Sequence, residues 1–139
     1  MNTMNATNTV YAREDFLGAD EYIDVVNKSG LNRPVGDRGR IERMLAHANL
    51  IMTARQDGRL VGFARSLTDF CFCCYLSDLA VDRACQGQGI GKRLIAETRT
   101  AAGGALTTTL LLSAPTAMTY YEGIKMPKAE NCFLYRREK

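Results

Sequence analysis

The sequence predicts a single α/β domain, and three observations support this. Its 139 residues fit one domain of ordinary size. The 46% apolar content is typical of a globular protein with one core. Segments of helical periodicity alternate along the chain with short apolar runs typical of strands. Strands and helices that interleave in this way define the α/β class.

The chain begins with a polar segment, a short strand and a helix. Residues 1–9 are expected to fray, and residues 10–13 are predicted to form a strand. The segment ADEYIDVVNKSG predicts a first helix with acidic residues in its first turn and Gly30 at its end. Three apolar residues fall on one face of that helix: Tyr22, Val25 and Val26.

A second helix is predicted after Pro34, which breaks the chain. Asp37 can cap this helix. The apolar residues that follow recur at the i, i+3, i+4, i+7 spacing of one buried stripe: Ile41, Met44, Leu45 and Ala48. His47, the lone histidine, lies off that stripe near the helix end. We therefore expect it to contact solvent or terminal carbonyls, not a substrate.

Three strands are predicted next. The segment LIMTARQDGRLVGFARSL has two strand-like runs joined through Asp57 and Gly58, a dipeptide that supplies the positive φ angles of a tight hairpin turn. A turn at Thr68 and Asp69 leads into CFCCYLSDLAV. This long apolar run predicts a central strand that is covered on both faces.

The last third of the chain continues the alternation. The pattern becomes helical at Ile90 and ends at Gly103 and Gly104. The segment ALTTTLLLS predicts another buried strand, and PTAMTYYEGIKM predicts a short helix with Pro115 in its first turn. The segment CFLYRRE predicts a closing strand.

Charge and composition argue against several classes of function. The net charge is +3, and the basic residues are scattered among acidic ones, so no nucleic-acid partner is predicted. No window approaches the roughly 18 to 20 uninterrupted apolar residues that a membrane span requires. The opening MNTMNATNTV lacks the apolar region of a signal peptide. We therefore predict a cytoplasmic protein with no membrane partner.

The five cysteines do not form a metal-binding pattern. CFCC contains no C-x-x-C pair, and the chain has one histidine, so no metal site is predicted. Buried, reduced thiols are the better interpretation of the four cysteines in or near one apolar segment: Cys71, Cys73, Cys74 and Cys85.

The segment CQGQGIGKRLI places three glycines at alternate positions directly before a helix. A helix N-terminus presents unsatisfied backbone N–H groups and the positive end of the helix dipole. Glycine lets an anion approach these amides and permits backbone angles that other residues resist. The segment therefore predicts a site for a phosphate or pyrophosphate, with a simple tight turn as the structural alternative.

Three kinds of phosphate loop compete for this segment. A Walker loop requires glycine at position 86 and Ser or Thr at position 93, where the chain has Gln86 and Arg93. The dinucleotide fingerprint Gly-x-Gly-x-x-Gly fails because the glycines alternate. The third pattern, Gln/Arg-x-x-Gly-x-Gly/Ala, is met by Gln86, Gly89 and Gly91. It is the acetyl-CoA pyrophosphate loop of the GNAT acyltransferases.

On these residues the sequence resembles the GNAT superfamily. Family members often have Leu-x-Val at the end of the strand before the loop, and Leu79, Ala80 and Val81 stand at that distance here. The order of elements predicted above also matches the family. The resemblance implies the GNAT acyl-CoA N-acyltransferase fold, a mixed, mostly antiparallel sheet flanked by helices and splayed between its fourth and fifth strands.

The resemblance also implies acetyl-CoA as cosubstrate and no metal. Backbone groups of Leu79, Ala80 and Val81 would contact the pantetheine arm. The pyrophosphate would be held by backbone amides of one continuous run: Gln86, Gly87, Gln88, Gly89, Ile90, Gly91 and Lys92. Lys92 or Arg93 would add positive charge.

Catalytic residues follow from the same resemblance. The family's late helix commonly carries Ala-x-x-Phe/Tyr-Tyr, and Ala117 to Tyr121 fit this pattern. Tyr121 would then be the general acid that protonates the departing thiolate, and Tyr120 would pack or contact the cofactor. Asp78 is the candidate base, acting through water, with a structural carboxylate as the alternative.

Two positions depart from the family pattern. Ala114 stands where Asn is common, which removes an expected polar contact to the cofactor. Lys125 stands where Gly is common, with the glycine displaced to Gly123. Lysine would be unusual in that turn if the turn requires positive φ.

The resemblance implies an N-acetyltransferase that moves an acetyl group from acetyl-CoA directly to a primary amine of a small molecule or peptide, with a homodimer allowed. A covalent route through Cys74 or Cys85 is not favoured, because neither has a basic partner in the sequence. The alternatives are a non-catalytic acyl-CoA-binding module and a phosphate-loop nucleotide enzyme. The acceptor stays open, although a polar segment marks its region: Asn32, Arg33, Asp37, Arg38 and Arg40.

Overall fold

The computed structural model describes residues 8–139 and has five strands and four α-helices within that range. The order of elements is β1 (Thr9–Arg13), α1 (Ala19–Ser29), α2 (Arg38–His47), β2 (Leu50–Gln56), β3 (Arg59–Thr68), β4 (Cys73–Val81), α3 (Ile90–Ala101), β5 (Thr108–Leu110) and α4 (Met118–Gly123). This confirms the predicted α/β class. Most of the segment expected to fray, residues 1–7, lies outside the described residues, whereas Thr9 already pairs with Gln56.

The five strands form one mixed sheet in the order β1-β2-β3-β4-β5. The first three pairings are antiparallel, and β5 is parallel to β4. β5 pairs only with the first three residues of β4, Cys73 to Tyr75, and β4 continues to Val81 without it. The two strands therefore separate toward the C-terminal end of β4, as the resemblance implies.

The β2–β3 hairpin turns at the predicted dipeptide. Asp57 has φ of 52° and Gly58 has φ of 78°, so both central residues occupy the left-handed region that a type I′ turn requires. Asp tolerates this region better than most residues, and Gly tolerates it at no steric cost.

Helices cover both faces of the sheet. On one face, α1 and α2 bury Tyr22, Val26 and Ile41 against Phe63, and the Tyr22 and Phe63 rings lie 4.9 Å apart. On the other face, α3 buries its predicted apolar side, including Leu94, against strand residues such as Met52 and Val61. Gly30 ends α1 with φ of 87°, and Asp37 caps α2 by accepting a hydrogen bond from the Arg40 amide.

The prediction that β4 is covered on both faces is confirmed only in part. Ala80 is buried among the α1 and α2 residues, and Leu76 is buried on the α3 side, because a β-bulge opposite Arg65 and Ser66 places Leu76 and Asp78 on opposite faces. Coverage is incomplete toward the end of β4, where β5 separates from it and Leu79 and Val81 line a cleft.

The two later strand predictions also require correction. The segment 105–113 contributes only three paired residues, and Thr108 and Leu110 are exposed because no further strand of the described chain pairs with β5. Residues 132–138 form no strand, and Phe133 and Tyr135 are fully exposed. The tail ends beside α2, where Arg40 Nη2 donates to the Lys139 carbonyl at 3.2 Å.

The cysteines divide between core and surface. Cys74 and Cys85 are buried as predicted, but Cys71 and Cys73 are exposed, which corrects that expectation. The cause is the turn before β4, where Asp69 Oδ1 accepts hydrogen bonds from the amides of Cys71, Phe72 and Cys73. Within residues 8–139, no three His, Cys, Asp or Glu side chains lie together as a metal site. No helix in that range has the length and apolar character to cross a membrane.

Candidate active site

A cleft of about 680 Å³ opens where β5 separates from β4. Its walls are the end of β4, the loop and first turn of α3, the start of α4, and the loop that follows α1. The sheet geometry thus places in one cavity three segments that are far apart in the sequence. A volume of this size is that of a site for a small molecule or cofactor.

The loop between β4 and α3 is shaped by two glycines. Gly87 and Gly89 have φ of 82° and 81°, and an added Cβ at either position would meet open space. These two positions therefore require glycine for its backbone conformation and not for close packing. Gln86 fixes the start of the loop, because its Nε2 donates to the Val81 carbonyl at 3.0 Å.

This loop leaves a run of backbone amides without partners. Within the described chain, the amides of residues 87–92 donate no hydrogen bond, and the first helical bond runs from the Arg93 amide to the Gly89 carbonyl at 3.0 Å. The positive end of the α3 dipole lies at the same point. Unsatisfied amides at a helix N-terminus that borders a cleft form a site for an anion.

Gly91 has a different requirement from the other two glycines. It lies in the first turn of α3, and an added Cβ would overlap the Tyr120 hydroxyl. Its lack of a side chain leaves room for the Tyr120 hydroxyl beside the amide run.

Tyr120 and Tyr121 lie side by side in the cleft wall, with ring centroids 5.2 Å apart and an interplanar angle of 79°. Burial raises the pKa of both hydroxyls. The neighbouring Tyr120 raises the pKa of Tyr121 further, and the Arg33 charge lowers it. The result of these effects is a pKa above the ordinary tyrosine value, so Tyr121 stays protonated near neutral pH and can donate a proton.

The turn after α4 contains the expected irregularity. Lys125 has φ of 61°, a left-handed conformation that a lysine adopts only under strain. Gly123 lies in the last turn of α4 and does not have positive φ. The displaced glycine noted in the sequence therefore leaves a lysine at a position whose φ angle favours glycine.

Ala114 lines the cleft with a methyl group where the family often has an amide side chain.

Asp78 lies beneath the cleft and is held by three side chains. Its Oδ1 accepts from Arg33 Nε at 2.6 Å, and its Oδ2 accepts from Arg65 Nε at 2.5 Å and from the Tyr22 hydroxyl at 2.7 Å. Burial alone would raise the pKa of this carboxyl, but the Arg65 hydrogen bond and the two guanidinium charges hold it below the ordinary value. Asp78 is fully buried and does not line the cleft.

The structure brings together most of the predicted site. The residues that line the cleft are Leu79, Ala80, Val81, Gln86, Gly87, Gly89, Ile90, Gly91, Lys92, Tyr120 and Tyr121. Besides Asp78, one other predicted residue does not: Gln88, whose Oε1 faces Gln56 Nε2 at 3.4 Å. Arg93 also lies elsewhere, over the Tyr11 ring and paired with Glu97.

Several lining residues were not predicted as site residues, and they come from the end of α1 and the loop after it, from the loop before α3 and from the residues that flank α4. This set comprises Ser29, Gly30, Leu31, Cys85, Ala114, Thr116, Ala117 and Ile124, while Asn32 and Arg33 belong to the polar segment noted in the sequence. No sequence motif marks Ser29, Gly30 or Leu31, whereas Ala114 and Ala117 belong to the family pattern noted for the late helix. Among the described residues, the cleft is lined by Arg33, Lys92 and the two tyrosines but by no carboxylate or imidazole.

Comparison with known proteins places this architecture in a family. Comparison with curated protein sequences gives no significant match. Among solved structures, a GNAT-family acetyltransferase from Streptococcus pneumoniae TIGR4 is 18% identical with a TM-score of 0.71, and the match covers 94% of this chain and 99% of that chain. The aminoglycoside N-acetyltransferase AAC(6')-Iy in complex with CoA is 16% identical with a TM-score of 0.67, covering 94% of this chain and 95% of that chain.

A third similar structure is an aminoglycoside acetyltransferase from an uncultured soil metagenomic sample, in complex with sisomicin. It is 19% identical with a TM-score of 0.67, and the match covers 96% of this chain and 97% of that chain. At such identities these structures show a shared fold. The family model described as an acetyltransferase (GNAT) domain matches residues 33–124, which is more than half of the sequence. The chain therefore belongs to the GNAT acetyltransferase family.

Proposed function

We propose that this protein is an acetyl-CoA-dependent N-acetyltransferase that transfers the acetyl group directly to a primary amine of a small molecule or peptide. The observation that carries the proposal is the run of unpartnered amides at residues 87–92, which borders the main cleft at the N-terminus of α3. That arrangement fits the pyrophosphate of coenzyme A. The family match and the CoA-bound structural neighbour support it.

The residues of the cleft suit an elongated thioester. The amides of residues 87–92 and the Lys92 side chain would hold the pyrophosphate, with Tyr120 beside them. Backbone groups of Leu79, Ala80 and Val81 are placed to contact the pantetheine arm, because β5 does not cover this part of β4. When bound, acetyl-CoA supplies the acetyl group in activated form.

Tyr121 is the proposed general acid. The amine nitrogen attacks the thioester carbonyl, the C–N bond forms and the C–S bond breaks. Tyr121 gives its proton to the departing sulfur and regains one from solvent, and the nitrogen releases its extra proton to solvent. A thiol has a pKa near 8.5, so its thiolate leaves reasonably well without help. We therefore expect the acid to contribute about 10²-fold, the low end of the usual range.

The amine must reach the thioester in its neutral form, because an ammonium has no lone pair. No carboxylate or imidazole of the described chain lines the cleft. The prediction that Asp78 acts as a base through water is untested, and its burial among Tyr22, Arg33 and Arg65 favours the alternative of a structural carboxylate. We assign Asp78 a positioning role, in which it holds Arg33 at the cleft.

The Arg33 charge would help to keep the amine neutral. A fixed positive charge disfavours a second positive charge nearby and so lowers the pKa of a bound ammonium. We therefore propose that solvent removes the proton before attack. In that case kcat/KM should rise about tenfold per pH unit until the pKa of the free amine, near 10.4 for an alkyl amine.

Replacement of Tyr121 tests the proposal against its alternative. In a Tyr121→Phe variant, an enzyme loses about 10²-fold in kcat, measured as thiol release, and keeps its affinity for acetyl-CoA. Tyr135→Phe is the matched control, because Tyr135 is fully exposed and lies outside the cleft. Tight acetyl-CoA binding without thiol release from the wild type, across a broad amine panel, would favour the non-catalytic acyl-CoA-binding module.

A further inference from the structure

The end of the cleft formed by the loop after α1 has a fixed positive charge. Arg33 lies in the loop after α1 and is about one quarter exposed. Its guanidinium donates to Asp78 Oδ1 at 2.6 Å, to the Asn32 carbonyl at 2.6 Å and to the Ser77 carbonyl at 2.7 Å. These bonds use three of its five N–H groups. Within the described chain, one N–H on each terminal nitrogen therefore remains for a ligand.

Asp78 does not neutralise this charge completely. The same carboxylate also pairs with Arg65 Nε at 2.5 Å. Two guanidiniums thus share one carboxylate, which leaves one positive charge in excess. Arg65 is almost fully buried, whereas Arg33 borders the cleft. A ligand in the cleft can therefore reach the excess positive charge at the Arg33 guanidinium.

A second, smaller cavity of about 150 Å³ is also lined by cationic side chains. It shares Asn32 and Arg33 with the main cleft. Its remaining walls are one proline and three cationic residues: Pro34, Arg40, Arg137 and Lys139. No Asp or Glu side chain of the described chain lines either cavity. An acceptor that enters from this side therefore meets guanidinium and ammonium groups and no acidic side chain.

We infer that the acceptor is a small amine that also carries an anionic group, a carboxylate or a phosphate, and that Arg33 binds this group. The inference rests on the proposed function and specifies its substrate class. Guanidinium binds carboxylate and phosphate through paired, charge-assisted hydrogen bonds. A polycationic acceptor such as sisomicin would place several ammonium groups against like charge, with no carboxylate to pair with them.

Matched amines test this inference by binding and by turnover. The anionic set is glycine, β-alanine, γ-aminobutyrate and O-phosphoethanolamine. Each amino acid is compared with its amide, O-phosphoethanolamine is compared with ethanolamine, and trimethylenediamine and sisomicin serve as cationic acceptors. We expect one or more anionic amines to bind the CoA-loaded protein at least about tenfold more tightly than their neutral counterparts in calorimetry. The same preference should appear in kcat/KM for thiol release.

Two variants assign the preference to the cationic residues. Arg33→Gln should remove most of the preference and leave CoA affinity within about twofold of the wild type. Arg40→Gln leaves the Asp78 cluster intact and should reduce the preference more weakly. Arg99→Gln, an exposed residue near the end of α3 that lines neither cavity, is the control.

The inference is overturned if neutral or cationic amines bind as tightly as the anionic ones, whether or not any amine is acetylated. It is also overturned if an anionic preference survives in both Arg33→Gln and Arg40→Gln. Failure of the protein to bind CoA would instead contradict the proposed function, so the two failures are distinguishable.

Discussion

Substitution of Asp78 by asparagine perturbs the cluster that connects the core to the cleft. The Asp78 side chain is 0% exposed, and its partners Arg33 and Arg65 are 25% and 8% exposed. An Asp78→Asn variant keeps the shape but leaves two guanidiniums without their carboxylate. Breaking a buried pair in this way costs about 3–5 kcal/mol. That is a large part of the roughly 5–15 kcal/mol that stabilises a typical domain.

Asp24→Asn is the matched control. Asp24 pairs with Lys28 at 3.1 Å within α1, and both side chains are about half exposed. An exposed pair of this kind contributes about 0.3–0.5 kcal/mol. Urea unfolding followed by far-UV circular dichroism measures both variants, since the chain has no tryptophan. A loss below about 1 kcal/mol in Asp78→Asn would refute the description of a buried, charged cluster.

The pH dependence of this effect has a definite sign. The pKa of Asp78 is lowered in the folded protein, so its carboxylate stabilises the fold above the ordinary value of 3.8. This contribution is lost as pH falls through the lower, folded pKa. The difference between the wild type and Asp78→Asn should therefore be constant between about pH 5 and 8 and shrink only in acid. A difference that shrinks near neutral pH would contradict the assignment.

Three further predictions concern individual residues. Lys125→Gly should raise the free energy of unfolding by roughly 0.5–1 kcal/mol, because relief of the left-handed strain exceeds the entropy cost of glycine. Lys128 does not have positive φ, so Lys128→Gly should not raise it. Equal effects of the two changes would refute this explanation. Gly91→Ala should weaken CoA binding about tenfold by displacing Tyr120. The control is Gly39→Ala, at the equivalent second position of α2, which should leave CoA binding unchanged and stabilise the helix by up to about 1 kcal/mol. Three backbone hydrogen bonds lower the pKa of Asp69 from 3.8 to about 2, so the carboxylate stabilises the fold above pH 3.8 and loses this effect toward pH 2. The difference in unfolding free energy between the wild type and Asp69→Asn should therefore decline over that interval. A constant difference would contradict the role of the carboxylate.

Local chemistry made much of the fold predictable. The hairpin at Asp57 and Gly58, the ends of α1 and α3, and the glycine loop each depend on residues within a few positions of one another. Gly87 and Gly89 adopt positive φ as expected, and Lys125 shows that the displaced glycine has a structural consequence. In each case the constraint on φ acts on one residue and can be recognised without tertiary contacts.

The unpredicted features depend on contacts between distant segments. Arg33 and Asp78 lie 45 positions apart, and nothing near either residue indicates that they pair. The segment 132–138 has the composition of a strand, but a strand also requires a paired neighbour, and the tail lies beside α2 instead. Cys71 and Cys73 belong to an apolar run, yet the Asp69 turn places them in solvent. Composition describes a segment, whereas its partner decides its structure.

Calorimetric titration with acetyl-CoA tests the central claim most directly, when Gly89→Ala is compared with Gly58→Ala. Both glycines have φ near 80°, with 81° at Gly89 and 78° at Gly58, and both face open space, so each alanine should cost a similar 1–2 kcal/mol of stability. Only Gly89 belongs to the amide run at the cleft. We predict that the wild type and Gly58→Ala bind acetyl-CoA with similar affinity and that Gly89→Ala loses about tenfold or more. Equal affinity in all three proteins, or binding of ATP or NAD in place of acetyl-CoA, would contradict the account.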